Sequence, residues 1–208
     1  MISRQTNYLK GAITKMKRLF ASVISCVLIL SLICSGLTVF ATTITGAVDT
    51  DNFVRGVDVS TLDMLEDLGA RFYQNNVESD ALTILKNNGA NYVRLKLWVD
   101  PYDENGNPYG GGNNDYATTL ALARRAKNLG MGVLIDFHLS DFWTDPANQI
   151  KPKAWKDLSY SELKTTLYNY MKDTLNNFAA AGIVPEMVQV GNEISTGIIH
   201  DLSLIHIS

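Results

Sequence analysis

The sequence predicts an α/β fold built on a parallel sheet, and two patterns carry that expectation. Four short apolar runs begin near residues 54, 92, 132 and 187, and the gaps between them hold segments with apolar residues at helical spacing. Strand–helix alternation of this kind marks βα units, in which each helix returns the chain so that successive strands run parallel. Polar residues gather where the apolar runs stop: Asp58, Arg94, Asp136, His138, Asn192 and Glu193. A (β/α)8 barrel, the TIM barrel, places its chemistry at the C-terminal ends of its strands. A dinucleotide-binding sheet does so too, but it needs a glycine-rich first turn, and residues 58–63 contain no glycine. The expected architecture is therefore a (β/α)8 barrel represented by about its first four βα units.

Residues 1–41 differ in kind from the rest. Arg4, Lys10, Lys15, Lys17 and Arg18 precede an apolar run from Leu19 to about Leu37, and no acidic residue appears. Val39-Phe40-Ala41 then offers the small or apolar residues that a signal peptidase reads. This order predicts a secretory signal peptide over 1–41 and an extracellular product with no membrane attachment after cleavage. The competing reading is an uncleaved anchor, since the run is nearly long enough to span a bilayer. Ser22, Ser25, Ser31 and Ser35 dilute it. Met16-Lys17-Arg18 would also serve as a start with its own basic region. Both cysteines, Cys26 and Cys34, lie in this leader, so the chain from Thr42 on has no disulfide, Cys metal ligand or thiol nucleophile. That portion holds all 21 acidic residues but 13 of the 18 basic ones, a net charge of −8. Such a balance argues against nucleic acid as a partner and favours a neutral substrate.

Residues 42–52 are small, polar and Thr-rich, and read as a linker. Residues 53–199 read as half of a barrel domain. Phe53–Ser60 is the first strand, and Leu62, Leu65 and Leu68 make a short helix. Residues 70–73 are a brief extended piece, and Ser79 caps a helix that runs to about Asn88. In Tyr92–Trp98, Val93, Leu95 and Leu97 alternate with Arg94, Lys96 and Trp98, a strand with one face on the helices and one toward the barrel interior. An inward arginine costs several kcal/mol unless it is paired, so Arg94 is expected to meet a carboxylate. Residues 99–115 form a long loop whose glycines fit no phosphate-binding spacing and read as a flexible connector. Asn114 or Asp115 caps a helix from Tyr116 to Leu129, with Ala117, Leu120, Ala121 and Ala126 as its small-residue face. Gly132–His138 is the third strand, followed by a loop holding Asp141, Trp143, Asp145 and Trp155. Ser159 and Glu162 have the spacing of a capping box. The helix they start runs to about Ala181 with Leu163, Leu167, Tyr170, Met171, Leu175 and Phe178 as its apolar stripe. Val188–Ile194 is the fourth strand.

Glu193, at the tip of that strand, is the candidate general acid/base of a glycoside hydrolase. Restricted water access at a barrel mouth can raise a carboxyl toward the range a general acid requires. The bland alternative is a residue that only caps the next turn. Asn192 beside it could hydrogen-bond a sugar hydroxyl. His138 is either a site residue, following Asp136 at a strand end, or a satisfied core histidine; it has no partner at zinc-ligand spacing. Trp98, Trp143 and Trp155 stand in or beside strand-end loops, where exposed rings suit sugar stacking. For Trp155, packing within the loop is the better reading. No G-x-S-x-G hydrolase elbow is present.

Four stretches together carry a more specific likeness: Gly56–Ser60, Tyr92–Pro101, Asp136–Pro146 and Gln189–Ile194. With these residues in this order, the chain resembles the bacterial arabinogalactan endo-β-1,4-galactanases of glycoside hydrolase family 53. The resemblance implies a secreted, monomeric, endo-acting enzyme that cleaves β-1,4-galactan side chains of pectin with retention. It implies Glu193 as acid/base, Asn192 on the sugar 2-hydroxyl, and Arg94 and His138 as support for the nucleophile. It implies Asp58, Trp98 and Trp143 as lining of the sugar subsites. The nucleophile of such enzymes is a Glu at the end of strand seven, and only four strands are expected here, so this chain alone is expected to be inactive. No cofactor is expected in it; the structural calcium that the resemblance admits would find its ligands beyond these strands. Residues 200–208 lose the likeness and read as a non-native tail. Without the second and third stretches, another retaining barrel hydrolase, such as a β-mannanase or cellulase, or a non-catalytic carbohydrate-binding protein, would fit as well.

Overall fold

The computed structural model describes residues 53–195 and 197–199. The expected signal peptide, the linker and the tail from residue 200 lie outside the described residues. In chain order the elements are β1 (Gly56–Asp58), α1 (Leu62–Asp67), β2 (Tyr73–Gln74), β3 (Val77–Glu78), α2 (Ala81–Asn87), β4 (Tyr92–Leu97), α3 (Tyr116–Asn128), β5 (Gly132–Phe137), α4 (Tyr160–Ala180) and β6 (Met187–Val190). One turn of 3-10 helix, Lys153–Trp155, precedes α4. The main sheet has the order β1-β4-β5-β6 with every neighbouring pair parallel. Four parallel strands laid side by side in chain order, three of the steps crossed by helices, are the expected half of a (β/α)8 barrel.

Side chains at the helix starts explain where the helices begin. Asp115 accepts the Thr118 N–H at 2.8 Å, and Ser159 and Glu162 form the reciprocal capping box. Each satisfies amides that have no partner inside the helix. Helix α2 departs from expectation: its cap is Asp80, which accepts the Thr83 N–H at 2.7 Å. Ser79 instead donates its backbone N–H to Phe72 O and so prolongs the β2–β3 hairpin. That hairpin turns on Asn75 and Asn76 at φ 51° and 63°, two positions in the left-handed region that a tight two-residue turn requires and asparagine tolerates. The first strand is shorter than expected, pairing only through Gly56–Asp58. The fourth ends at Val190 because Gly191 turns the chain at φ 86°.

Val93, Leu95 and Leu97 on β4 and Val133, Ile135 and Phe137 on β5 are all 1% exposed or less. They join Leu62, Leu82, Leu122, Leu163 and Phe178 from the four helices in one apolar cluster. Full burial of one such side chain contributes about 1.5–3 kcal/mol. The packed face of α3 is Thr119, Leu122, Ala123 and Ala126, not the face through Ala117 and Ala121, both of which are exposed. The stripe on α4 follows the expected spacing, with Leu163 and Phe178 fully buried and Leu167, Tyr170, Met171 and Leu175 packed against them. Among the described residues no helix is long and apolar enough to cross a membrane.

Candidate active site

The alternate residues of the same strands face the other way, and this inner face is charged. Register places Asp58 beside Arg94, Lys96 beside Asp136, and Asp136 beside Gln189. The Arg94 guanidinium sits among them. It donates to Asp58 at 2.5 Å, to Asp136 at 2.6 Å, to Asn192 Oδ1 at 2.9 Å and to Gln189 Oε1 at 3.3 Å. Lys96 Nζ lies 3.0 Å from Asp58. Two cations thus meet two carboxylates, which is how ionised groups are accommodated away from water. Arg94 meets the carboxylate expected of it, and a second one besides.

Asp58 is tied further by Ser60, whose hydroxyl donates to it at 2.7 Å and accepts the Lys96 N–H at 2.8 Å. Burial alone would raise the Asp58 carboxyl. Hydrogen bonds from Ser60 and Lys96 outweigh it and hold the group below its usual value.

His138 lies just past β5 and is 1% exposed. The Thr144 backbone N–H donates to its Nδ1 at 3.1 Å. An amide N–H can only donate, so Nδ1 accepts and the ring proton sits on Nε2. Nε2 is 3.0 Å from Asp136 Oδ2, but poorly aligned with it: Nε2 and Asp136 Oδ1 are both buried without a hydrogen-bond partner.

Asn192 is 5% exposed and held at every polar atom of its side chain. Its Oδ1 accepts from Arg94, and its amide donates to Thr144 O at 2.6 Å. Its backbone carbonyl accepts from Gln149 Nε2 at 2.8 Å. Glu193 follows at φ 52° with its side chain exposed. A non-glycine residue in the left-handed region is uncommon, and such positions recur at functional sites. Among the described residues the Glu193 carboxylate has no hydrogen-bond or ion-pair partner, whereas Asp58 and Asp136 are both committed to Arg94. The strand tip therefore presents one uncommitted carboxylate beside one rigid amide. Two such groups at a barrel-strand end can give a proton to a glycosidic oxygen and grip a neighbouring hydroxyl.

Residues 54–204 match the model of glycosyl hydrolase family 53, a span that reaches into the tail segment. The chain belongs to that family. It is 49% identical over 147 residues to the endo-beta-1,4-galactanase of Bacillus subtilis (strain 168), covering 70% of this chain and 34% of the relative. It is 42% identical over 149 residues to the arabinogalactan endo-beta-1,4-galactanase A of Aspergillus niger, covering 71% of this chain and 40% of the relative. Among solved structures, the GH53 catalytic domain of Ignisphaera aggregans superposes with a TM-score of 0.71 at 50% identity, over 74% of this chain and 43% of that domain. A fungal beta-1,4-galactanase superposes with a TM-score of 0.64 at 39% identity, over 70% of this chain and 42% of the other. The chain thus spans well under half the length of the relatives it matches.

Within this family 53 chain, Asp58, Arg94, His138 and Asn192 come together as one hydrogen-bonded and ion-paired group. The tryptophans separate. Trp143 is 44% exposed, with Lys96 Nζ 4.4 Å from its ring centroid, and offers an open face. Trp98 is 0% exposed and offers none. Phe142 covers it at a centroid distance of 4.9 Å, and the 99–115 loop closes over it so tightly that a Cβ on Gly111 would sit 3.3 Å from its ring. As a sugar-stacking platform Trp98 is therefore corrected to a packing residue beneath the site, and the loop is no mere connector. Trp155 is buried against Tyr170, as the loop-packing reading expects. Beside Trp143 runs a groove of about 770 Å³ lined by Tyr109, Phe142, Ile150 and Lys153 among others. Among the described residues, no group of three or more His, Cys, Asp or Glu side chains is placed to hold a metal ion.

Three residues of the site are not singled out by the sequence: Thr144 and Gln189, which lie within the stretches that carry the likeness, and Gln149, which lies outside them. Gln149 and Thr144 reach the Asn192 backbone carbonyl, and Gln189 accepts from Arg94 and donates to Gly191 O.

Proposed function

We propose that the protein is a secreted endo-β-1,4-galactanase that hydrolyses β-1,4-galactan with retention, and that Glu193 is its acid/base. The observation that carries this reading is the Asn192–Glu193 pair at the tip of β6: a fully held amide beside an exposed carboxylate with no partner among the described residues. In the first step Glu193 gives its proton to the leaving glycosidic oxygen as the bond from C1 breaks. A second carboxylate attacks C1 from the opposite face and forms a glycosyl-enzyme. In the second step Glu193, now a carboxylate, takes a proton from water, whose oxygen bonds to C1 and frees the second carboxylate. Asn192, fixed by Arg94 and Thr144, grips the 2-hydroxyl of the sugar being attacked. Trp143 supplies a stacking face. On this reading the attacking carboxylate is the Glu at the end of strand seven that the resemblance implies, beyond the four strands described here. The four strands alone are then inactive, and the enzyme acts as a monomer.

The test is a chimera that joins residues 54–199 to the part of the Bacillus subtilis relative following its matched segment. Reducing ends should appear from galactan, and Glu193→Gln should remove nearly all of that activity, an acid/base contribution of about 10²–10⁴ in rate. Release from mannan or cellulose but not galactan would overturn the substrate. Unchanged turnover in Glu193→Gln would overturn the assignment of the acid/base. Galactan hydrolysis by the unjoined chain would overturn its inactivity.

A further inference from the structure

We propose that Gln149 is a positioning residue for Glu193, acting through the peptide that joins Asn192 to Glu193; the inference rests on the acid/base reading above. Gln149 stands on the loop between β5 and α4, 43 residues before Asn192, and is 2% exposed. Its Nε2 carries two hydrogens, and two carbonyls receive them: Asn192 O at 2.8 Å and Asp145 O at 3.0 Å. The Thr144 hydroxyl lies 3.4 Å from the same Asn192 carbonyl and 3.1 Å from His138 Nδ1, and the Thr144 carbonyl accepts the Asn192 amide at 2.6 Å. The Asn192 backbone is thereby held on one side by loop side chains, while Arg94 holds its side chain from the sheet.

The carbonyl of Asn192 belongs to the peptide plane whose nitrogen is that of Glu193. Fixing that oxygen limits the rotation that sets φ of Glu193, which stands at 52°. The left-handed region is unfavourable for a glutamate, so the surrounding structure must hold it there. The Glu193 side chain has no partner of its own among the described residues. Among the described residues its direction therefore comes from its backbone, and the Gln149 clamp is one of the contacts that fix that backbone. Loss of the clamp lets the peptide relax and carries the carboxyl away from the leaving oxygen. Misplacement of a reacting group by about 1 Å costs on the order of 10² in rate.

The loss should follow a distinctive pattern. A general acid matters when the leaving group is a poor one, such as a sugar hydroxyl, and hardly at all when it departs readily as an anion. In the chimera, Gln149→Met keeps the length of the side chain but removes both donors. Its kcat/KM on galactan should fall about 10- to 100-fold. On an aryl β-galactoside with a dinitrophenolate leaving group, the first step should change less than about 3-fold, measured as the burst of phenolate. Thermal melts establish that each variant is folded. Equal losses on both substrates, or no loss on galactan, would overturn the role of Gln149. Glu193→Ala run in parallel separates the two claims: if it shows no dependence on leaving group, the acid/base reading itself fails, whatever Gln149 does. Should Gln149→Met fail to fold, Gln149→Glu replaces a donor by an acceptor against the same two carbonyls and must give the same pattern.

Discussion

Arg94 and Asp136 meet at 2.6 Å on the inner face of the sheet, and the Asp136 side chain has no solvent exposure. A carboxylate in that position is tolerable only with its cation. Removing one partner of a buried pair costs about 3–5 kcal/mol, because the other charge is left behind, whereas removing both can be nearly neutral. Arg94→Met is therefore expected to lower the unfolding free energy by about 3 kcal/mol, near the low end because the arginine is partly exposed. Adding Asp136→Leu to Arg94→Met should recover part of the loss. Urea unfolding of the two single variants and the double variant checks this, and strictly additive losses would contradict the coupling.

Asp58 gives stability an acid limb. Its folded carboxyl lies below its usual 3.8 because the hydrogen bonds from Ser60 and Lys96 outweigh the opposing effect of burial. A carboxyl depressed on folding stabilises the fold when ionised. The contribution is whole above the unfolded value of about 3.9 and disappears as pH falls through the folded value. Asp58→Asn should thus be less stable than the parent by a constant margin above about pH 5, and that margin should shrink below about pH 4. Unfolding curves collected between those limits and lower pH decide it. A margin that stays constant into acid would mean that Asp58 contributes nothing through its charge.

The parts of this fold that sequence exposes are those set by local period and composition. β4 is legible because Val93, Leu95 and Leu97 alternate with Arg94 and Lys96, and because an inward arginine demands a carboxylate; β5 is legible as an apolar run that ends at Asp136. The start of α4 is legible because Ser159 and Glu162 are three residues apart. Asp80 rather than Ser79 caps α2 because the hairpin claims Ser79 first, and no local signal ranks two adjacent capping residues. Trp98 looks like a binding-site aromatic until two loops fold over it. Gln149 was invisible for the same reason: its role is defined by a carbonyl 43 residues away. Strand tips can be read from sequence, while the loop side chains that brace them depend on tertiary closure.

Asp80 does two things that substitution can separate. It caps α2 through the Thr83 N–H, and it receives Arg125 of α3 at 2.6 Å. Asp80→Asn keeps a cap but drops the charge. Asp80→Ala drops both. Cap loss costs about 0.5–2 kcal/mol, and a partly exposed ion pair contributes about 0–1 kcal/mol. Asp80→Asn should accordingly cost under about 1 kcal/mol and Asp80→Ala about 1–2 kcal/mol. In an Arg125→Ala background the cost of Asp80→Asn should vanish while that of Asp80→Ala largely persists. Chemical unfolding of the set tests this; equal costs for the two Asp80 variants would show that the ion pair, not the cap, carries the effect.

Gly191 ends β6 and begins the turn that presents Asn192 and Glu193. Its φ of 86° disfavours any residue with a Cβ, and a Cβ built there would lie 2.5 Å from Ile194 Cγ2. Gly191→Ala is therefore opposed twice, once by the backbone and once by contact. Alanine at a position with positive φ destabilises by more than about 1 kcal/mol. Adding Ile194→Ala should relieve the contact but leave the backbone cost, so the double variant should recover only in part. The turn also aims Glu193, so in the chimera Gly191→Ala should lower kcat on galactan by about 10²-fold, a loss that Ile194→Ala cannot restore if backbone direction is what matters. Melting temperatures and turnover of both variants separate the two causes. Full recovery of stability and turnover in the double variant would assign the requirement for glycine to the side-chain contact alone.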